Sequence, residues 1–256
     1  MTDSRPVLWH ISVSHYNEKA RWALDYKRIP HRRRGLPGGA HMVAALLLTR
    51  GETATFPILV LDGTAVGDST AIIGELERRW PDPPLYPEDP AERRRALDLE
   101  DYFDEELGPA IRLVGWHEMT RDPERLAELA AGFLPPRVRD DPRAAAAAAR
   151  YAAAFTGVRY GVKSDEAAER SRQKVVDALD RLEAELDGRE YLVGDRFSVA
   201  DLTAASLFYP LALPPDGPPL GEPPEAFERW RVPLAERPGG QWVAEIYRRH
   251  RRPPVD

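Results

Sequence analysis

The sequence predicts an α/β domain of element order βαβαββα followed by an all-helical domain, and three observations predict it. β-prone apolar runs concentrate in the first third of the chain and alternate there with helical spacing. Five prolines fall among residues 81–90, where they cannot continue a helix. Beyond them the apolar residues recur every three to four positions, as a helix buried along one face requires. The boundaries follow: residues 1–82 for the first domain, 83–90 for a proline-rich linker and 91–256 for the helical domain.

Taken in order, Val7–Val13 is a β-prone run that feeds, through Ser14-His15, a helix over Tyr16–Lys27. The basic run Arg32-Arg33-Arg34 reads as a solvated strand edge or loop, with an anion site as the alternative. Gly38-Gly39 breaks the chain before an apolar helix over His41–Leu48. Phe56–Leu61 and Thr64–Val66 flank Asp62-Gly63, a hairpin signature. Ser69–Trp80 places Ile72, Ile73 and Leu76 at helical spacing and Arg78-Arg79 in the last turn, where the helix dipole favours cations. The second domain is expected to hold helices over Ala91–Met119, Pro142–Tyr160, Asp165–Leu186, Val199–Leu211 and Gln241–Arg251. Ala144–Ala149 suits an exposed or thinly packed helix, and Pro210–Pro224 an irregular loop.

Composition narrows the chemistry. With 43% hydrophobic and 30% charged residues, the 256-residue chain has ordinary globular usage, which excludes wholesale disorder. It has no cysteine, so disulfides, thiolate metal sites and cysteine nucleophiles are excluded and any reacting thiol must come from a ligand. The net charge of −6 has the wrong sign for a nucleic-acid coat. No apolar run approaches the ~18 residues of a membrane span, and the first residues lack an export signal, so the cytoplasm is the expected compartment, with neither membrane nor nucleic acid as partner. Nucleotide-binding loops, a nucleophile elbow and a His-Glu-x-x-His zinc motif are missing, and the six histidines show no metal-ligand spacing.

What remains is a constellation around the first helix and the hairpin. Ser14 stands where a strand enters a helix, at the positive end of the helix dipole. It can cap the helix, or donate a hydrogen bond to a thiolate and lower its pKa; the two roles are compatible. Beside it lies Asn17, the only asparagine in the chain. Pro57, at the start of a strand, requires a sheet edge or a special bond such as a cis one. Asp68 or Ser69 can cap the next helix, whose first N–H groups suit a carboxylate while the acid suits an ammonium group, as the two ends of an amino acid demand.

These residues resemble the glutathione S-transferase superfamily. Ser14-His15-Tyr16-Asn17-Glu18-Lys19-Ala20-Arg21-Trp22-Ala23-Leu24 is similar to its first-helix motif, Phe56-Pro57-Ile58-Leu59 to the segment with its cis-proline, and Asp68-Ser69 to the acid-serine pair that holds the γ-glutamyl group of glutathione. Phe197-Ser198-Val199-Ala200-Asp201 resembles its capping box before a central helix. The resemblance covers nearly the whole chain and implies a thioredoxin-like domain followed by an all-helical one, with homodimerisation. It implies an enzyme that transfers glutathione or another low-molecular-weight thiol to a hydrophobic electrophile. Ser14 would activate the thiolate, and Phe56, Pro57, Asp68, Ser69 and Asn17 would bind the thiol. The alternative is a non-catalytic, ligandin-like carrier of haem, another tetrapyrrole or another hydrophobic ligand in the interdomain cleft. In that case His117 is the candidate iron ligand, and Trp116, Phe155, Tyr160 and Phe208 are candidate lining residues.

Overall fold

The computed structural model describes residues 5–36, 40–218 and 220–255. Strands β1 (Val7–His10), β2 (Arg32–Gly35), β3 (Ile58–Leu61) and β4 (Thr64–Gly67) form one sheet in the order β2-β1-β3-β4. β1 lies parallel to β2, with Val7 opposite Arg32, and antiparallel to β3, with Val7 opposite Val60; β4 returns antiparallel to β3. The parallel pair needs a crossover, which α1 (His15–Tyr26) supplies. At the hairpin Asp62 and Gly63 both take positive φ, 49° and 81°, the conformation that matches the twist of the flanking strands.

Alternation along the strands divides the sheet's two faces. Leu8, Leu59 and Leu61 enter the main core with Trp22 of α1 and Ile72, Ile73 and Leu76 of α3 (Ser69–Arg79). Ile58 enters a second cluster with Phe56 and Ala45 of α2 (Ala40–Leu48), on which Trp9 and Val60 also pack. The arginine run forms the edge strand β2, where Arg33 pairs with Asp25 at 2.5 Å and Arg34 lies 5.2 Å from the centre of the Trp9 ring. Gly38-Gly39 lies outside the described residues.

The rest of the chain is helical: α4 (Pro90–Tyr102), α5 (Gly108–Arg121), α6 (Pro123–Gly132), α7 (Pro142–Tyr160), α8 (Asp165–Leu186), α9 (Val199–Ala212), α10 (Glu225–Ala235) and α11 (Pro238–His250). At its centre α9, buried along most of its length, contacts α1, α4, α5, α10 and α11. Its capping box forms as the sequence suggested: the fully buried Asp201 carboxylate accepts from Ser198 N and Oγ and from Leu192 N, each at 2.8 Å. No helix among the described residues is long and apolar enough to cross a membrane.

Three sequence expectations need correction. The single helix over Ala91–Met119 is interrupted by a π-helical turn at Phe103–Leu107. Gly108 N–H reaches back five residues to Phe103 O, and Pro109 has no N–H to give, so the usual helical donors to Asp104 O are lost. Helices α6 and α10 were not expected. The sequence nevertheless carries a start signal for α6, Asp122 as N-cap with Pro123 after it. Pro210 lies inside α9, so the irregular segment begins after Ala212 rather than at Pro210; Pro219 lies outside the described residues.

Candidate functional site

The loop between β1 and α1 is held at every carbonyl. Arg21 donates to Ile11 O (3.1 Å) and Ser12 O (2.9 Å), and the hydroxyl of Tyr209 on α9 donates to Val13 O (2.6 Å). Burial holds the Tyr209 phenol well above its ordinary range, so it remains a donor. Ser14, next in the chain, is fixed as the N-cap of α1.

Asn17 completes this frame. Its buried amide accepts from Ile11 N at 3.0 Å and donates to Ser14 Oγ at 2.7 Å and to Phe56 O at 3.2 Å. Ser14 Oγ also faces Asn17 N at 3.4 Å, so the oxygen receives two N–H groups. Its own hydrogen has no acceptor among the described residues and is left for the cleft that Ser14 lines. The Phe56–Pro57 peptide is cis, which decides between the two readings of Pro57, and both residues line that cleft.

Asp68 caps α3, accepting from Thr70 N (2.8 Å) and Ala71 N (3.1 Å) through one carboxylate oxygen, and it does so at φ 71°, a value few non-glycine residues adopt. Such a conformation is concentrated at functional sites. Ser69 is buried at the first helical position, and both residues border the same cleft. The structure therefore brings together Ser14, Asn17, Phe56, Pro57, Asp68 and Ser69, on two helix N-termini and one loop, at the wall of a single cleft of 660 Å³.

The opposite wall is helical. Ile111, Arg112, Trp116 and Met119 of α5 face Phe155 and Tyr160 of α7. The two walls are joined at the π-helical turn and the start of α5: Tyr16 OH donates to Asp104 O at 2.7 Å, and His15 Nε2 lies 3.0 Å from Gly108 O. Gly108 is required there, because a Cβ would overlap the Tyr16 hydroxyl. Burial, with the Arg112 charge behind it, lowers His15 to about 3, and burial raises Tyr16 above the ordinary phenol range. Beneath them Lys19, fully buried, pairs with Glu100 (2.9 Å) and Asp104 (2.7 Å) and donates to Thr70 Oγ1 (2.8 Å).

Two residues named from the sequence are elsewhere. His117 is not in the cleft wall; it is buried, with Nδ1 at 2.8 Å from Val162 O, so it is not placed to ligate an iron bound there. Phe208 is fully buried against Phe103 and does not line the cleft, whereas Trp116, Phe155 and Tyr160 do. Sequence reasoning missed Arg112. Its spacing of four and seven residues from Trp116 and Met119 puts all three on one helix face, which was the available signal.

Comparison with known proteins agrees with this architecture. Residues 8–84 match the model of the glutathione S-transferase N-terminal domain, and residues 139–238 that of the glutathione S-transferase C-terminal domain. A probable maleylacetoacetate isomerase of Caenorhabditis elegans is 31% identical over 96 residues, a stretch covering 38% of this chain and 45% of that relative, less than half its length. Among solved structures, a glutathione transferase from Phanerochaete chrysosporium is 20% identical over 95% of this chain and 96% of its own, with a TM-score of 0.66. A glutathione S-transferase from Methylobacterium radiotolerans, solved with glutathione sulfonate, is 22% identical over 94% of each chain, with a TM-score of 0.56. A β-etherase from Sphingobium sp. strain SYK-6 is 19% identical over 94% of this chain and 98% of its own, with a TM-score of 0.61. The chain belongs to the glutathione S-transferase superfamily.

Proposed function

We propose that the protein is a thiol transferase that binds glutathione, or a closely similar low-molecular-weight thiol, against the sheet-domain wall of the cleft and transfers it to a hydrophobic electrophile held by the helical wall. The observation that carries this reading is the state of Ser14: its oxygen accepts from Asn17 while its hydrogen remains to be donated. Donation to a sulfur at the N-terminus of α1 favours the thiolate over the thiol, and a thiolate is the reactive nucleophile. Asp68, with one carboxylate oxygen outside the cap, suits the α-ammonium of a γ-glutamyl group, and Ser69 with the first turn of α3 suits its carboxylate. The loop at Phe56-Pro57 lies alongside for the peptide-like middle of the ligand. In the reaction the protein forms no covalent bond: the thiol proton leaves to solvent, and the sulfur bonds to the electrophilic carbon while the carbon–leaving group bond breaks. The leaving group, halide in the aromatic halide, departs with its electron pair, and the cleft supplies proximity. A homodimer belongs to this reading on the strength of the family resemblance.

The test is Ser14→Ala. The account expects turnover with an aromatic halide to fall about 10- to 100-fold and the pH midpoint of the reaction to rise with the pKa of bound thiol, while thiol affinity changes less than threefold. Unchanged turnover removes Ser14 from the mechanism; no turnover by the parent protein while a hydrophobic ligand still binds the cleft favours a carrier without chemistry.

A further inference from the structure

We propose that the helical wall of the cleft is an anion subsite, and that the second substrate is an aromatic electrophile carrying a carboxylate. The inference rests on the transferase reading above and names the substrate class of the same cleft. Arg112, on α5, and Arg159, on α7, both lie over one aromatic residue, their guanidinium carbons 4.5 Å and 5.4 Å from the centre of the Tyr160 ring; Arg112 also stands 5.6 Å from that of Tyr16. Both arginines line the cleft, and neither has a carboxylate within ion-pair distance among the described residues. Arg112 Nε is sealed from solvent without an acceptor. Contact with an aromatic face offsets part of the charge but satisfies none of the planar fork of N–H donors.

Three arginines nearby do find carboxylates. Arg172 pairs with Glu118, Arg121 with Asp165, and Arg125 with Glu128 and Glu222. Nor do the cleft's own acids serve: Asp104 is taken by Lys19, and Asp68, capping α3 through one oxygen, is not within ion-pair distance of either arginine. The helical wall thus presents two positive groups and the rings of Trp116, Phe155 and Tyr160, with Tyr16 of α1 beside them and no carboxylate of the described residues within ion-pair distance of either arginine. A planar guanidinium held between rings is matched by a carboxylate on a flat aromatic body, which stacks while its oxygens take the N–H donors.

The test uses two unreactive probes of the same shape, 4-nitrobenzoate and 4-nitrobenzamide, titrated calorimetrically into the intact protein without thiol. The anion is expected to bind about tenfold more tightly than the amide, with its advantage shrinking as salt is raised. Arg112→Met with Arg159→Met should bring the two affinities within about twofold of each other, with the circular dichroism spectrum and the affinity for glutathione unchanged. Equal binding of the probes by the parent protein, binding of neither, or a preference that survives both substitutions overturns the proposal. A parallel fall in glutathione affinity also overturns it, since the arginines would then belong to the thiol site. If glutathione fails to bind the parent protein while the benzoate preference holds and depends on the arginines, the thiol reading fails and the anion subsite stands.

Discussion

The amide of Asn17 donates a 2.7 Å hydrogen bond to Ser14 Oγ, and the same side chain accepts from Ile11 N and donates to Phe56 O. One buried side chain therefore fixes the serine and ties the loop before α1 to the loop at the cis-proline. Replacing Asn17 by Ala leaves two backbone groups and the serine without their partner, at a cost of about 2–4 kcal/mol for a buried set of this size. Turnover should fall about as far as in Ser14→Ala, with little change in thiol affinity. Urea denaturation and a separation of kcat from KM check both parts. Asn17→Asp, which reverses the donor toward Ser14, should not restore turnover.

Lys19 is the hinge of charge between the domains, fully buried between Glu100, Asp104 and Thr70. Lys19→Met strands two carboxylates and should destabilise the protein by about 3–5 kcal/mol, measured by chemical denaturation. Adding Glu100→Gln should recover part of the loss, because burial already raises the Glu100 carboxyl above its ordinary range.

Acid sensitivity follows from two histidines. His10 and His15 are each lowered from 6.5 to about 3, chiefly by burial, so between those values the unfolded chain binds protons that the folded one refuses. Their contribution is intact above pH 6.5 and is lost as pH falls toward 3, at about 1.4 kcal/mol per unit for each group within that window. Asp201 acts with the opposite sign: burial raises it from 3.8 to about 6, so its contribution is present below 3.8 and is lost as pH rises through 6. His15→Gln should flatten the fall in stability below pH 6.5 relative to the parent protein; parallel stability curves would contradict the assignment.

Much of this was legible in the sequence, for identifiable reasons. Strands β1, β3 and β4 announce themselves through β-prone apolar runs and the Asp62-Gly63 turn, whereas the arginine run of β2 left strand edge and loop open; the capping residues Ser14, Asp68 and Ser198 each stand one position before a helix. The site residues clustered as expected because they are local features, caps and a cis-proline. Less legible were features set by contacts distant in sequence. The π-helical turn at Phe103–Leu107 depends on Pro109 withholding a donor while Tyr16, 88 residues away from Asp104, supplies one. His117 has its place decided by Val162, 45 residues away, and no spacing rule reveals that its ring turns from the cleft. Arg112 was hidden by an arginine-rich composition, since an unpaired guanidinium looks like any other until its neighbours are known.

The central claim is that the sheet-domain wall holds a thiol by its amino-acid end. Calorimetric titration with reduced glutathione tests it most directly, repeated on Asp68→Asn, which keeps the helix cap and removes the charge, and on Ser69→Ala. The account predicts binding by the parent protein and a loss of at least about tenfold in each variant, with folding intact by circular dichroism. Absence of binding at millimolar glutathione, or equal affinity in all three proteins, would contradict it.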